Sequence, residues 1–213
     1  MKFTFSKCAF LPLAVVLAGA ASGTAVMAQS QSSSTQSSSD PSIAQRKENQ
    51  QDRIANGIKS GQLTAGETGN LETKEAAING ETRADRAANG GKLTSSEKTQ
   101  INNQQNHLSN QIYQDKHNAN TAHYGNNEVG QRRENQQDRI ANGIKSGQLT
   151  AGETAKLENN QRAINQQVRA DRAANGGKLT SSEKAQVNRE QNRQSRNIYK
   201  NKHNGRTQGG AKK

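Results

Sequence analysis

Beyond a hydrophobic N-terminal run, large aliphatic residues are sparse and recur at helical spacing. Ile54 and Ile58 stand four apart, Leu71 and Ile78 seven apart, Ala84 and Ala88 four apart, and Ile101, Leu108 and Ile112 follow at seven and four. Such spacings place a narrow apolar seam on each of three helices. They are expected at 41–60, 65–89 and 95–118, with a second set at 127–146, 151–175 and 181–203. The fold class read from this pattern is all-α.

The second set exists because the chain repeats. Glu48 to Thr68 returns unchanged at Glu134 to Thr154, and 55 of 77 positions from Gln45 to Thr121 match their counterparts 86 residues on. This is the pattern of a duplicated module. A weaker repeat lies inside each copy, where Gly61 to Glu67 aligns on Gly91 to Glu97 at a shift of 30. One turn thus occurs in four versions, at Leu63-Thr64, Leu93-Thr94, Leu149-Thr150 and Leu179-Thr180.

The chemistry of that turn is helix capping. A threonine hydroxyl can accept from the amide three residues on, while a glutamate there reaches back to the threonine amide. Thr64 and Glu67, Thr94 and Glu97, Thr150 and Glu153, and Thr180 and Glu183 all have this spacing. Gly61 and Gly91 stand where a preceding helix ends in a left-handed residue. Asp40-Pro41 offers a further start, with Asp as cap and Pro in the first turn.

At the N-terminus, Lys2 and Lys7 precede an apolar run from Ala9 to Ala20 and small residues ending at Ala28. That is the layout of a signal peptide over 1–28, cleaved after Ala28. The run is shorter than the roughly 20 residues of a spanning helix, so no membrane span is expected after cleavage. Cys8, the only cysteine, lacks the residues that precede a lipid-modified one and leaves with the signal. The mature chain is expected to be periplasmic or secreted, without a disulfide. Its aromatics are Tyr113, Tyr124 and Tyr199, so any core is thin and marginal stability is expected. The remaining segments are a flexible Ser/Gln-rich leader over 29–40, module 1 over 41–118, a linker over 119–126, module 2 over 127–204 and a loose basic tail over 205–213.

The turn resembles the second half of an EF-hand loop, with a glycine, an aliphatic residue, a threonine and a terminal glutamate. Calcium requires oxygen ligands earlier in the loop, where the chain supplies Asn56, Ile58 and Ser60, then Arg86, Ala88 and Gly90. The second module offers Asn142, Ile144 and Ser146, then Arg172, Ala174 and Gly176. The whole pattern is also similar to a set of uncharacterised exported bacterial proteins with Gly-x-Leu-Thr-x-x-Glu repeats and a Tyr-x-x-Lys-His ending, here Tyr113 to His117 and Tyr199 to His203. That resemblance implies no activity.

Charge separates the copies. The chain carries a formal net charge of +12. Gln45 to Thr121 holds 10 basic and 9 acidic residues, against 16 and 7 from Gln131 to Thr207. Arg189, Arg193, Arg196 and Lys200 share one helical face, where module 1 has Asn103, His107, Asn110 and Gln114. A basic stripe can be a solvated face or a docking surface for a polyanion. The sequence points away from nucleic acid, having no recognised fold for it, no Trp or Phe in the mature part, and an export signal.

No metal site or cofactor is expected. His117 and His123 are the only close histidine pair, without Cys or a carboxylate beside them. No paired carboxylate, nucleophile with its base, or phosphate loop recurs in the way a catalytic site needs, so a non-enzymatic protein is expected. The first functional expectation is a helical-repeat protein that binds an anionic envelope component or polysaccharide through Arg189, Arg193, Arg196 and Lys200, with oligomerisation compatible. A degenerate calcium-responsive module and a hydrophilic structural or stress-related protein are the alternatives.

Overall fold

Each helix begins at a side chain that accepts from its own first turn. The computed structural model describes residues 42–208, and six α-helices make up 76% of them, with no strand among the described residues. They are α1 (Ile43–Lys59), α2 (Ala65–Ala88), α3 (Ser95–Lys116), α4 (Glu128–Lys145), α5 (Ala151–Ala174) and α6 (Ser181–Lys202). The signal peptide, the leader, Asp40-Pro41 and residues 209–213 lie outside the described residues.

The capping boxes form at all four turns. The Thr64 hydroxyl accepts from the Glu67 amide at 3.3 Å, and Glu67 Oε2 accepts from the Thr64 amide at 2.9 Å. Thr94/Glu97, Thr150/Glu153 and Thr180/Glu183 repeat the exchange. The expected start at Asp40-Pro41 is corrected: α1 is capped by Ser42, whose hydroxyl accepts from the Gln45 amide at 3.2 Å. Serine two residues on is an equally good acceptor and stands immediately before the first apolar residue, Ile43. Asn127 caps α4 in the same way, accepting from Gly130 at 3.0 Å.

Between α1 and α2 the chain reverses through Gly61 at φ +72°, a conformation only glycine adopts without strain. The Leu63 amide then donates to the Gly57 carbonyl at 3.0 Å. This folds the Leu63 side chain over Gly57, where a Cβ would lie 2.7 Å from Leu63 Cγ. Leu149 lies over Gly143 identically.

Within each copy the third helix packs on the first two, and between copies α2 runs along α5 and α1 along α4. The first of these pairings is antiparallel and reciprocal. Gly66 of α2 faces Arg162 of α5, while Gly152, the counterpart of Gly66, faces Ala76, the counterpart of Arg162. One apolar cluster therefore draws on both copies: Ile54, Ile58, Leu63 and Leu71 pack with Ile140, Ile144, Leu149 and Leu157. Sharing the core answers the thinness of each copy, because neither has enough apolar surface to bury alone. Module 2 adds a second cluster of Val129, Ile164, Val168, Leu179 and Val187.

Glutamine completes the interior. Gln50 Nε2 donates to the Gln105 carbonyl at 2.7 Å, and Gln105 Nε2 to the Ile43 carbonyl at 2.9 Å. Gln136 and Gln191 repeat this with the Gln191 and Val129 carbonyls at 2.8 and 3.0 Å. Buried amides with such partners cost far less than unpaired ones.

The segments read from sequence as linker and tail have defined places where they are described. The Ala122 amide donates to the Gly61 carbonyl at 2.8 Å, and Asn118 and Asn120 donate to Glu67 Oε1 at 2.8 and 3.1 Å. In module 2 the Gln208 amide donates to Gly147 at 2.9 Å, and Asn204 to Glu153 Oε1 at 2.6 Å. Each copy thus straps the end of its third helix onto its own first turn.

Candidate anion-binding face and buried carboxyls

The helix α6 turns Val187, Gln191, Gln194 and Ile198 inward. Gln194, standing where module 1 has Leu108, donates to the Leu157 carbonyl at 2.8 Å. With that face fixed against α4 and α5, the helical period places Arg189, Arg193, Arg196 and Lys200 outside, and all four are exposed. None of the four has an ion-pair partner among the described residues, where the ion pair found is Arg206 to Glu153 at 4.0 Å. Tyr199 lies 60% exposed beside Lys200. On α3 the positions Asn103, His107, Asn110 and Gln114 are exposed as well, so the two copies differ in charge and not in the accessibility of this face.

The other sequence-derived sites are engaged within the chain. Both oxygens of Glu67 accept hydrogen bonds, from Thr64 on one side and from Asn118 and Asn120 on the other. These bonds hold the Glu67 carboxyl below its ordinary range against the opposing effect of its burial. Ile58 and Ile144, at the third position of the EF-hand-like loops, are core residues. His117 Nδ1 is 2.7 Å from the Tyr113 carbonyl, its ring stacked on Tyr113, and His123 Nε2 is 2.7 Å from the Thr121 hydroxyl. No group of three or more His, Cys, Asp or Glu able to hold a metal occurs among the described residues.

The sequence pattern missed a set of buried carboxyls. Glu72, Glu75 and Glu158 are fully buried at or beside the α2–α5 seam. Gln51 donates to Glu72 at 3.1 Å and Gln137 to Glu158 at 2.9 Å. Burial drives Glu72 well above the usual carboxylate range, with Glu75 and Glu158 raising it further. Burial likewise pushes Glu158 up to about 8, and Glu75 up to about 7 against the lowering effect of Lys47. The duplication brings Glu72 and Glu158, 86 positions apart, to one interface. Both are closed off from solvent, so they form an interior feature. The only signal in the sequence was a glutamate following each seam leucine, Leu71 and Leu157.

Tyr124 is a second residue the sequence did not single out. Its ring lies under the Arg133 guanidinium, 5.4 Å from carbon to ring centre, and burial raises its phenol pKa. Its carbonyl passes so close to Gly130 that a Cβ there would stand 2.0 Å away. Comparison of the chain with family models, with curated proteins and with solved structures gives no match.

Proposed function

We propose that this is an exported, non-enzymatic helical-repeat protein that holds an anionic cell-envelope or extracellular polymer on the basic face of α6. The observation that carries the reading is the line of Arg189, Arg193, Arg196 and Lys200, exposed and without ion-pair partners among the described residues. Unpaired cations on one face raise the local potential and concentrate polyanions. The export signal in the sequence directs the protein toward envelope surfaces, where phospholipid headgroups and acidic polysaccharides are abundant. No described helix is long and apolar enough to cross a membrane.

The test is retention of mature protein on anionic vesicles and on acidic polysaccharide, at low salt and at about 0.15 M, where the Debye length falls to roughly 8 Å. Retention should weaken with salt and be lost in the Arg189→Gln, Arg193→Gln, Arg196→Gln, Lys200→Gln variant. Equal retention by that variant, or no dependence on salt, overturns the proposal.

A further inference from the structure

A groove of about 820 Å³ opens between the first turns of α1, the second half of α2 and the N-terminus of α5, with residues 206–208 along one edge. Lys47, Arg83, Arg86 and Arg206 line it, and no acidic residue is among its lining. Arg83 and Arg86 are exposed, lie one helical turn apart, and have no side-chain hydrogen bond or ion pair among the described residues. Gln208 also lines it, buried to 8% exposure, with its Nε2 donor unpartnered among the described residues. The positive end of the α5 dipole adds to the same recess through Thr150, Ala151 and Gly152.

The duplication supplies an internal comparison. In module 2 the equivalent basic residues are Arg133, Arg169 and Arg172, and there the chain's own Tyr124 lies against Arg133. In module 1 Ala44 replaces Gly130, and its Cβ stands where the Tyr124 carbonyl runs in the other copy. In the sequence, Gly210 occupies the position corresponding to Tyr124. Thr82 further replaces Val168, changing an apolar wall into a polar one. The two copies have thus diverged at residues that line this recess.

We infer that the module 1 groove is a binding site for a phosphate-bearing ligand, separate from the α6 face, with Arg83 and Arg86 as its principal donors and Gln208 Nε2 completing the set. Several cations around one recess match a multiply charged oxyanion better than a single carboxylate, and guanidinium forks suit tetrahedral oxygens. The volume lies within the range of small-ligand sites. A soluble phosphate ester and a phospholipid headgroup carry the same chemistry.

The experiment titrates full mature protein at low salt with inorganic phosphate and with glycerol phosphate, followed by calorimetry and by amide shifts of α2 and α5. Binding should occur, weaken at least about tenfold in Arg83→Gln/Arg86→Gln, return in part with lysine at both positions, and persist in the α6 variant. A helicity melt matching the parent shows that the double variant is folded, which its exposed positions favour. Displacement of bound phosphate by phosphatidylglycerol vesicles places the ligand on a headgroup, and failure to displace it places the ligand in solution; either outcome supports the site. Absence of phosphate binding, undiminished binding by Arg83→Gln/Arg86→Gln, or loss only in the α6 variant overturns it. Failure of the α6 proposal alone leaves these readouts unchanged.

Discussion

The amide of Gln51 on α1 donates to the carboxyl of Glu72 on α2 at 3.1 Å, in a place neither side chain shares with solvent. Gln137 and Glu158 reproduce the pair at 2.9 Å. A carboxyl so buried is more stable protonated, because the ion would lose its hydration for a single amide donor.

Stability should therefore rise as pH falls from 8 to 5. A group whose pKa is raised on folding contributes fully below its unfolded value, about 4.3, and that contribution is lost as pH climbs through the folded value, about 8 for Glu158 and about 7 for Glu75. The capping glutamates act oppositely. Glu67 and Glu153 are held below the ordinary range, so their contribution is present above the unfolded value and fades as pH falls through the folded one. Melting temperatures by circular dichroism should peak near pH 5, several degrees above pH 8. Glu158→Gln should raise the value at pH 8 and flatten the slope, and an unchanged slope would refute the assignment.

Gly57→Ala should destabilise although alanine is the better helix former by about 1 kcal/mol. The new Cβ would meet Leu63 at 2.7 Å, and overpacking of this kind costs about 1–3 kcal/mol. Gly80→Ala, where nothing lies within 4 Å, should stabilise by about 0.5–1 kcal/mol. Urea titrations of the two variants give the opposite signs directly.

Thr64→Ala should cost about 1 kcal/mol or more, exceeding Thr94→Ala. Both remove a box, but Glu67 also anchors Asn118 and Asn120, so freeing it loosens the strap after α3. Amide exchange at Ala122, which donates to Gly61, should quicken in Thr64→Ala and stay unchanged in Thr94→Ala.

Gly130→Ala should expel Tyr124, since the Cβ would fall 2.0 Å from its carbonyl. The tyrosine absorbance titration would then lose its late-titrating phenol, whose pKa burial holds above the ordinary value.

The helices were legible because their punctuation is local: a threonine, a glutamate three residues on and a preceding glycine mark each turn whatever the rest of the fold does. Only α1 misled, where Ser42 rather than Asp40-Pro41 makes the cap. The α6 stripe was legible for the same reason, four cations following the helical period. The interior was less so. Gln50, Gln51, Thr68, Glu72 and Gln105 read as surface by hydropathy yet are buried, because α1, α2 and their counterparts pack face to face and enclose polar positions with the seam. The groove was hidden too, since Lys47, Arg83, Arg86 and Arg206 converge only after α2 has docked on the N-terminus of α5.

The reciprocal contact of Gly66 with Arg162 and of Gly152 with Ala76 has a consequence for how many copies such a chain can use. The face of one copy is complementary to the same face of the other, which is an isologous arrangement, and isologous faces are saturated by a single partner. A third tandem copy would find both faces occupied and would need a fourth. Repeats of this kind grow by pairs, unlike stacked solenoids that lengthen one unit at a time.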